Sequence, residues 1–340
     1  MSVAFMRPVE ERDFAQIHAL AQLTGGGMTN LPMDEDALRR RIDFTLESFA
    51  KKVTEPGGEV YLLVLEKDGV VIGTSAIFSS IGLQSGFVNY RINTMFHFSE
   101  QLGKRVSRRL LVPTHDFTGA AEVGSLFLDP SSQGGGFGKL LARSRYLFMA
   151  QSPEIFADRV CAELRGWRED NGEQPFWDAV GRYFFDMGFE AADQHNSIAG
   201  NQFIADLMPA YPLYIATLPE AAKACIGKPH RSAEPAFAML EKEGFEYRGY
   251  VDIFDAGPVL DAKLSNLRAV RESTLSPVTV VDEIKQSAGL EPVLVATGKQ
   301  SSYRCLRTFK TKSDNSVVLT KGQLEALQIN ASDQVRVTAW

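Results

Sequence analysis

Apolar residues in the first fifty positions recur at intervals of three and four. Phe14, Ile17 and Leu20 share one side of residues 11–22, and Leu38, Ile42, Leu46 and Phe49 form a second stripe that opens at Asp34 or Asp36. This is the period of helices that bury one face, and an Asp at the start offers its carboxylate to the unpaired N–H groups of the first turn. Thr24-Gly25-Gly26-Gly27 forms the loop between them. The pattern then changes to β-rich runs: residues 61–65 and 70–78 flank Lys67-Asp68-Gly69 and predict a hairpin. Residues 87–98 are a third extended segment. A fourth, 122–128, is stopped by Asp129-Pro130, because proline has no ladder donor and restricts the residue before it.

A helix is predicted over 138–150, with Leu141, Arg145 and Phe148 on one side, and a strand over 159–164. Pro175 suits the first turn of a helix carrying Phe176, Val180, Phe184 and Met187, and Gly188 suits its cap. Shorter pieces follow, with helices at 202–208, 220–226 and 235–243 and extended segments at 212–217 and 247–254. Beyond Ser276-Pro277 the chain reads as short β segments at 278–281, 292–295, 303–310, 317–319 and 334–338. The expected division is residues 1–275 as one α/β unit and 276–340 as a small C-terminal β module.

Composition narrows the classes of function. A chain of 340 residues, 44% hydrophobic and 23% charged, is globular and has room for two units. A formal net charge of −6 and a pI near 5.5 disfavour sequence-independent nucleic-acid binding, which needs clustered Lys and Arg. Cys161, Cys225 and Cys305 are odd in number and widely spaced, so neither a disulfide framework nor a zinc knuckle follows, and no metal is expected. The N-terminal MSVAFMRPVEERD lacks a secretory pattern, and no apolar run reaches the roughly 18 residues of a membrane span. No membrane partner is expected, and the expected location is cytoplasmic.

Between the fourth strand and the helix after it stands QGGGFG, Gln133 to Gly138, which fits the pattern Q/R-x-x-G-x-G/A. Glycines let a backbone approach an anion closely, and the N–H groups of a first helical turn face it, so the segment reads as a pyrophosphate cradle or as a merely flexible turn. It is not a P-loop, because position 133 is Gln and Leu140 follows Lys139. It is not a dinucleotide fingerprint either, because Lys139 stands where the last glycine should.

The loop resembles the acyl-CoA pyrophosphate loop of the GNAT acyltransferase superfamily, and the preceding order of two helices, a hairpin and a third strand matches that superfamily too. Longer strings resemble the arginine N-succinyltransferase family: LTGGGMTNLP at 23–32, FLDPSSQGGGFGKLLARSRYLFMA at 127–150, AELRG at 162–166, PFWDAVGRYFFDMGF at 175–189, FIADLMP at 203–209 and LEKEGFEYRGYVDIFDAGP at 240–258. The resemblance spans about residues 5–275 and is looser beyond, although LTKGQLEAL at 319–327 still looks like the family. It implies a GNAT-type α/β fold with a central mixed, mostly antiparallel twisted sheet flanked by helices. It also implies transfer of a succinyl group from succinyl-CoA, a cosubstrate rather than a resident cofactor, to the α-amine of L-arginine in arginine catabolism. A homo-oligomer, or a hetero-oligomer with a paralogue, is expected. The alternatives are another acyl group or amine, such as acetyl-CoA or ornithine, and a non-catalytic acyl-CoA-binding subunit.

The resemblance also places residues. The family's catalytic histidine, a proton donor, follows a Gly-x-x-His pattern that Gly227-Lys228-Pro229-His230 matches, so His230 is the catalytic candidate; a histidine titrates near working pH. Leu126 matches the family's succinyl-CoA contact, and Gln133, Gly134, Gly135, Gly136 and Gly138 are the remaining acyl-CoA-binding candidates. A side chain at Gly136 is expected to weaken CoA binding with little loss of fold. The superfamily adds Glu122 as a base through water and Tyr183 as a proton donor to sulfur. Arg91 and Arg145 are candidate cations for the succinyl carboxylate. Cys225 raises an acyl-enzyme alternative, against which stands the frequent use of Cys as a buried small hydrophobe.

Overall fold

The computed structural model describes residues 3–25, 28–169, 172–200, 202–285 and 288–340; Gly26 and Gly27 of the first predicted loop lie outside them. In chain order the elements are β1 (Ala4–Pro8), α1 (Phe14–Gln22), α2 (Glu35–Ala50), β2 (Val60–Lys67), β3 (Val70–Phe78), β4 (Asn89–Ser99), β5 (Lys104–Thr114), β6 (Ala121–Leu128), α3 (Phe137–Gln151) and β7 (Arg159–Glu163). Then come α4 (Pro175–Ala179), α5 (Gly181–Phe185), α6 (Phe189–Ala199), α7 (Gln202–Leu207), β8 (Leu213–Tyr214), α8 (Glu220–Cys225), α9 (Glu234–Glu243), β9 (Glu246–Val251), β10 (Pro258–Lys263) and α10 (Arg268–Glu272). The chain closes with β11 (Thr274–Val281), β12 (Leu290–Thr297), β13 (Arg304–Thr311), β14 (Val317–Thr320), α11 (Lys321–Leu327) and β15 (Gln334–Ala339).

The central strands run β1-β2-β3-β6-β7-β10-β9 in hydrogen-bonding order, antiparallel except for β6 beside β7. Both faces of β2 are covered, which explains its unbroken apolar run. Tyr61, Leu63 and Leu65 pack with Leu141, Leu147 and Phe148 of α3, while Leu62 and Val64 pack with Ile17 of α1 and Leu38 and Ile42 of α2. Asp34 is the residue that caps α2, its carboxylate accepting from Ala37 N at 2.8 Å. This is the mixed, mostly antiparallel sheet between helices that the GNAT resemblance implied.

One helix differs from expectation. The helix predicted over 175–187 breaks at Val180 (φ −128°, ψ −73°), with Gly181 pressed against the Trp177 ring. Phe184 and Tyr183 are thereby turned outward, while Trp177, Phe176 and Phe185 build a separate core with Tyr90 and Val251. The C-terminal β segments close on themselves: β12-β15-β11-β14-β13 is completed by pairing of β12 with β13. This small barrel is filled by Val293, Val295, Leu306, Val317, Leu319 and Val337. It joins the central sheet through β1, where Phe5 and Met6 pair with Leu306 and Cys305.

Candidate active site

β6 and β7 pair only at Ala121–Val160 and Glu122–Cys161 and then part. On the other edge of β6 the register with β3 slips between the Thr74–Phe127 and Ala76–Gly124 pairs, which puts Ser125 and Leu126 opposite Ser75. Ser125 takes φ 49° and is held on both sides: Thr74 Oγ1 donates to its carbonyl at 2.9 Å, and its own hydroxyl donates to Asn30 O at 2.9 Å. A bulge of this kind re-aims the strand next to a site. Leu126 lies on it, half-buried against the core under α3.

Asp129 ends β6 and caps the turn after it through Ser131 N and Oγ. Gly134, Gly135 and Gly136 then adopt φ of 97°, 59° and 83°, three successive left-handed residues that only glycine adopts readily, and α3 starts at Phe137. The loop has two faces. A Cβ at Gly134 or Gly138 would meet nothing within 4 Å, whereas at Gly135 it would touch Phe137 and at Gly136 it would sit 2.7 Å from Trp340 Cζ2. Gly134 and Gly138 therefore leave room for a ligand, and Gly136 leaves room for Trp340. The expectation that a side chain at Gly136 costs little fold is corrected on this ground.

Glu122 is buried beside the point where the strands part. Burial pushes its carboxyl up to about 7 against the pull of Arg41, of Asn30 Nδ2 at 3.2 Å and of Arg145. Arg145, also buried, reaches β6 from α3 and donates through Nη1 to Gly124 O at 3.3 Å. Glu163, at the end of β7, accepts from Asn89 Nδ2 at 2.7 Å; burial, Asp252 and Glu122 push its carboxyl well above the usual range.

The segment carrying His230 runs beside the continuation of β7. Pro229 bridges to Gly166, and His230 N donates to Arg165 O at 2.8 Å. Its Nδ1 lies 2.7 Å from Ser232 Oγ and accepts from Ser232 N at 3.2 Å, a pattern that assigns the neutral ring's proton to Nε2.

The family model described as the arginine N-succinyltransferase beta subunit matches residues 4–269. The chain belongs to the arginine N-succinyltransferase family. Proteins named arginine N-succinyltransferase from Yersinia pseudotuberculosis serotype O:3 (strain YPIII) and Enterobacter sp. (strain 638) are each 40% identical to it, over 340 and 335 residues. Both alignments take in 98% of this chain, with 97% of the first protein and 96% of the second. A solved structure described as arginine/ornithine succinyltransferase subunit AI from Pseudomonas aeruginosa is 34% identical, with a TM-score of 0.89, covering 100% of this chain and 99% of that one.

As a member of this acyltransferase family the chain places its candidates unequally. Glu122 and Arg145 lie where β6 and β7 part, Leu126 lies further along the unpaired edge of β6, the loop glycines follow its far end, and His230 lies against residues that prolong β7. Arg91 is engaged elsewhere, 3.7 Å from Asp116 and over the Tyr250 ring. Tyr183 is 80% exposed on α5. Cys225 is buried, donates to Ala221 O and is held above the usual thiol range by burial, which keeps it a thiol rather than a nucleophilic thiolate. Sequence reasoning gave no role to Asn30, Arg41, Asn89 or Glu163, although LTGGGMTNLP contains the first of them. No helix among the described residues is long and apolar enough to cross a membrane.

Proposed function

We propose that the protein transfers succinyl from succinyl-CoA to the α-amine of L-arginine, giving N2-succinylarginine and CoA. The observation that carries this is the bulged, unpaired stretch of β6 with a glycine cradle at one end and Glu122, poised near neutrality, at the other. The thioester lies along β6, with its pyrophosphate against Gln133, Gly134 and Gly138 and its pantetheine beside Leu126. Deprotonated Glu122 takes a proton from the arginine ammonium, directly or through one water. The freed amine attacks the thioester carbonyl, the C–S bond breaks, the nitrogen gives up its second proton to water as the amide forms, and the imidazolium form of His230 protonates the departing thiolate through Nε2–H and returns to the neutral ring. Arg145 supplies the cation for the succinyl carboxylate.

The test is turnover of the purified protein with arginine and succinyl-CoA, against acetyl-CoA as donor and ornithine as acceptor. Ornithine belongs in the comparison because the P. aeruginosa relative's name includes it. A kcat/KM for succinyl-CoA no higher than for acetyl-CoA refutes the donor assignment, and CoA binding without turnover favours a non-catalytic subunit. The same reading takes residues 1–275 as the transferase unit and 276–340 as its β module, working in the cytoplasm. The words "beta subunit" and "subunit AI" in the relatives' descriptions support an oligomer, which light scattering on the purified chain checks.

A further inference from the structure

One end of α3 concentrates positive charge in a chain whose net charge is −6. Lys139, in the first turn, places Nζ 4.6 Å from the centre of the Trp340 ring, and the Arg307 guanidinium sits 4.7 Å from the same ring. Arg143, one turn further, is buried; its Nε donates to Glu243 at 3.2 Å and its Nη1 to Ala339 O, but its Nη2 has no partner. Arg268 approaches from α10, and its buried Nε is also unpartnered. Lys242, in the last turn of α9, completes the group. The carboxylate nearest to hand, Glu243, is already spent on Arg143 and on Ala269 N at 2.6 Å. Burial and the four neighbouring cations hold Lys139 below the usual lysine range. An unpaired donor on a buried guanidinium is costly, and clustered like charges repel, so the geometry suits a multivalent anion.

Gly134 and Gly138, facing open space one turn away, are assigned to the pyrophosphate. A CoA thioester carries one more anionic group, a phosphomonoester on the 3′-oxygen of its ribose, doubly charged near neutral pH. We propose that Lys139, Arg143, Lys242, Arg268 and Arg307 form a phosphomonoester subsite that takes this 3′-phosphate, separate from the glycine cradle. A cavity of about 230 Å³ opens beside the cluster between α3 and the barrel, lined by Phe137, Leu140, Arg307 and Trp340 among others, and leaves space for part of the adenosine. The assignment rests on the acyl-CoA reading given above.

The experiment compares CoA with 3′-dephospho-CoA by calorimetry on the wild-type chain and on Lys139→Ala, Arg268→Ala and Lys242→Ala, the last at an exposed position that keeps the test open if another variant fails to fold. Charge-assisted contacts of this kind make CoA bind about 10- to 100-fold more tightly than the dephospho form in wild type. Each substitution weakens CoA, leaves the dephospho form unchanged and narrows that ratio, with kcat at saturating succinyl-CoA retained. Equal affinity of wild type for the two ligands, or variants that weaken both alike, overturns the subsite. Adenosine 3′,5′-bisphosphate competes with succinyl-CoA if the subsite belongs to the donor; non-competitive inhibition makes it an independent effector site and also overturns the proposal. Loss of transfer with every donor, beside a retained preference for CoA, refutes the activity and leaves the subsite standing.

Discussion

The two ends of the proposed cleft carry opposite charge, and they handle it differently. Toward the end where β6 and β7 part, burial holds Glu122, Glu163 and Asp252 above their usual range, and Asp252 and Glu122 add to the rise at Glu163. At the start of α3, Lys139 is held below its usual range by burial and by Arg143, Arg268, Arg307 and Lys242. On the proposed reading a cationic acceptor offsets the first and a polyanionic donor the second. The ends are also built from different material: strands and the loops after them at the acidic end, helices and the barrel at the basic end. The proposal gives chemistry to the first and donor binding to the second, so substitutions should separate kcat from affinity.

His230→Ala should show the largest effect, a loss of kcat of about 10²- to 10⁴-fold, with succinyl-CoA affinity nearly unchanged. Turnover at saturating substrates between pH 6 and 9 decides it, and activity within about twofold of wild type in a folded variant removes His230 from the catalytic role. Glu122→Gln should cost about 100-fold in kcat/KM and abolish the rise in rate as pH passes through about 7. Stability gives an independent reading with the opposite slope. Because the folded carboxyl titrates near 7 and the ordinary one near 4.5, its contribution is fully present below 4.5 and is lost as pH rises through 7. Melting temperatures of wild type should fall relative to Glu122→Gln across that window; parallel curves would show that Glu122 titrates normally.

The glycine loop sharpens the same contrast at smaller scale. Gly136→Val should destabilise the fold by about 1–3 kcal/mol, because the side chain meets Trp340 and the backbone is left-handed there; denaturant melts measure it. Gly138→Ala should do the reverse: it adds up to about 1 kcal/mol of helix stability while weakening CoA about tenfold, since its Cβ fills space left for the ligand. Calorimetry showing unchanged CoA affinity in Gly138→Ala would move the pyrophosphate off this face.

Local pattern was legible and long-range assembly was not. The β-rich run at 61–65, a helix start at Asp34 or Asp36 and the strand–glycine–helix order around Gly134 all follow from periodicity and turn chemistry, because their causes lie within a few residues. β1, β5 and β10 escaped, being short or polar: Arg7 in β1 is paired with Asp13 and Glu66, and β5 carries Arg105, Arg108 and Arg109 on exposed positions. The break at Val180 follows from Gly181 meeting Trp177, a contact that no helical period reveals. His230 was found through the family resemblance, since a loop histidine beside proline has no signal of its own. The cationic cluster joins residues 139, 143, 242, 268 and 307, and only folding brings them together.

The strand order bears on how the chain avoids pairing with its own copies while it folds. A sheet of fifteen strands ordinarily offers two raw edges, each a template on which another chain can add a strand and start an aggregate. Here one end is sealed by the β12–β13 pairing, and at the other β8 covers β5 only at Leu110 and Leu111. The rest of that edge carries Lys104, Arg105, Arg108 and Arg109, like charges that an incoming copy would have to bury against its own, and Pro113, which has no ladder donor. Neutralising those charges would turn the β5 edge into the most exposed nucleus for β-aggregation among the described strands.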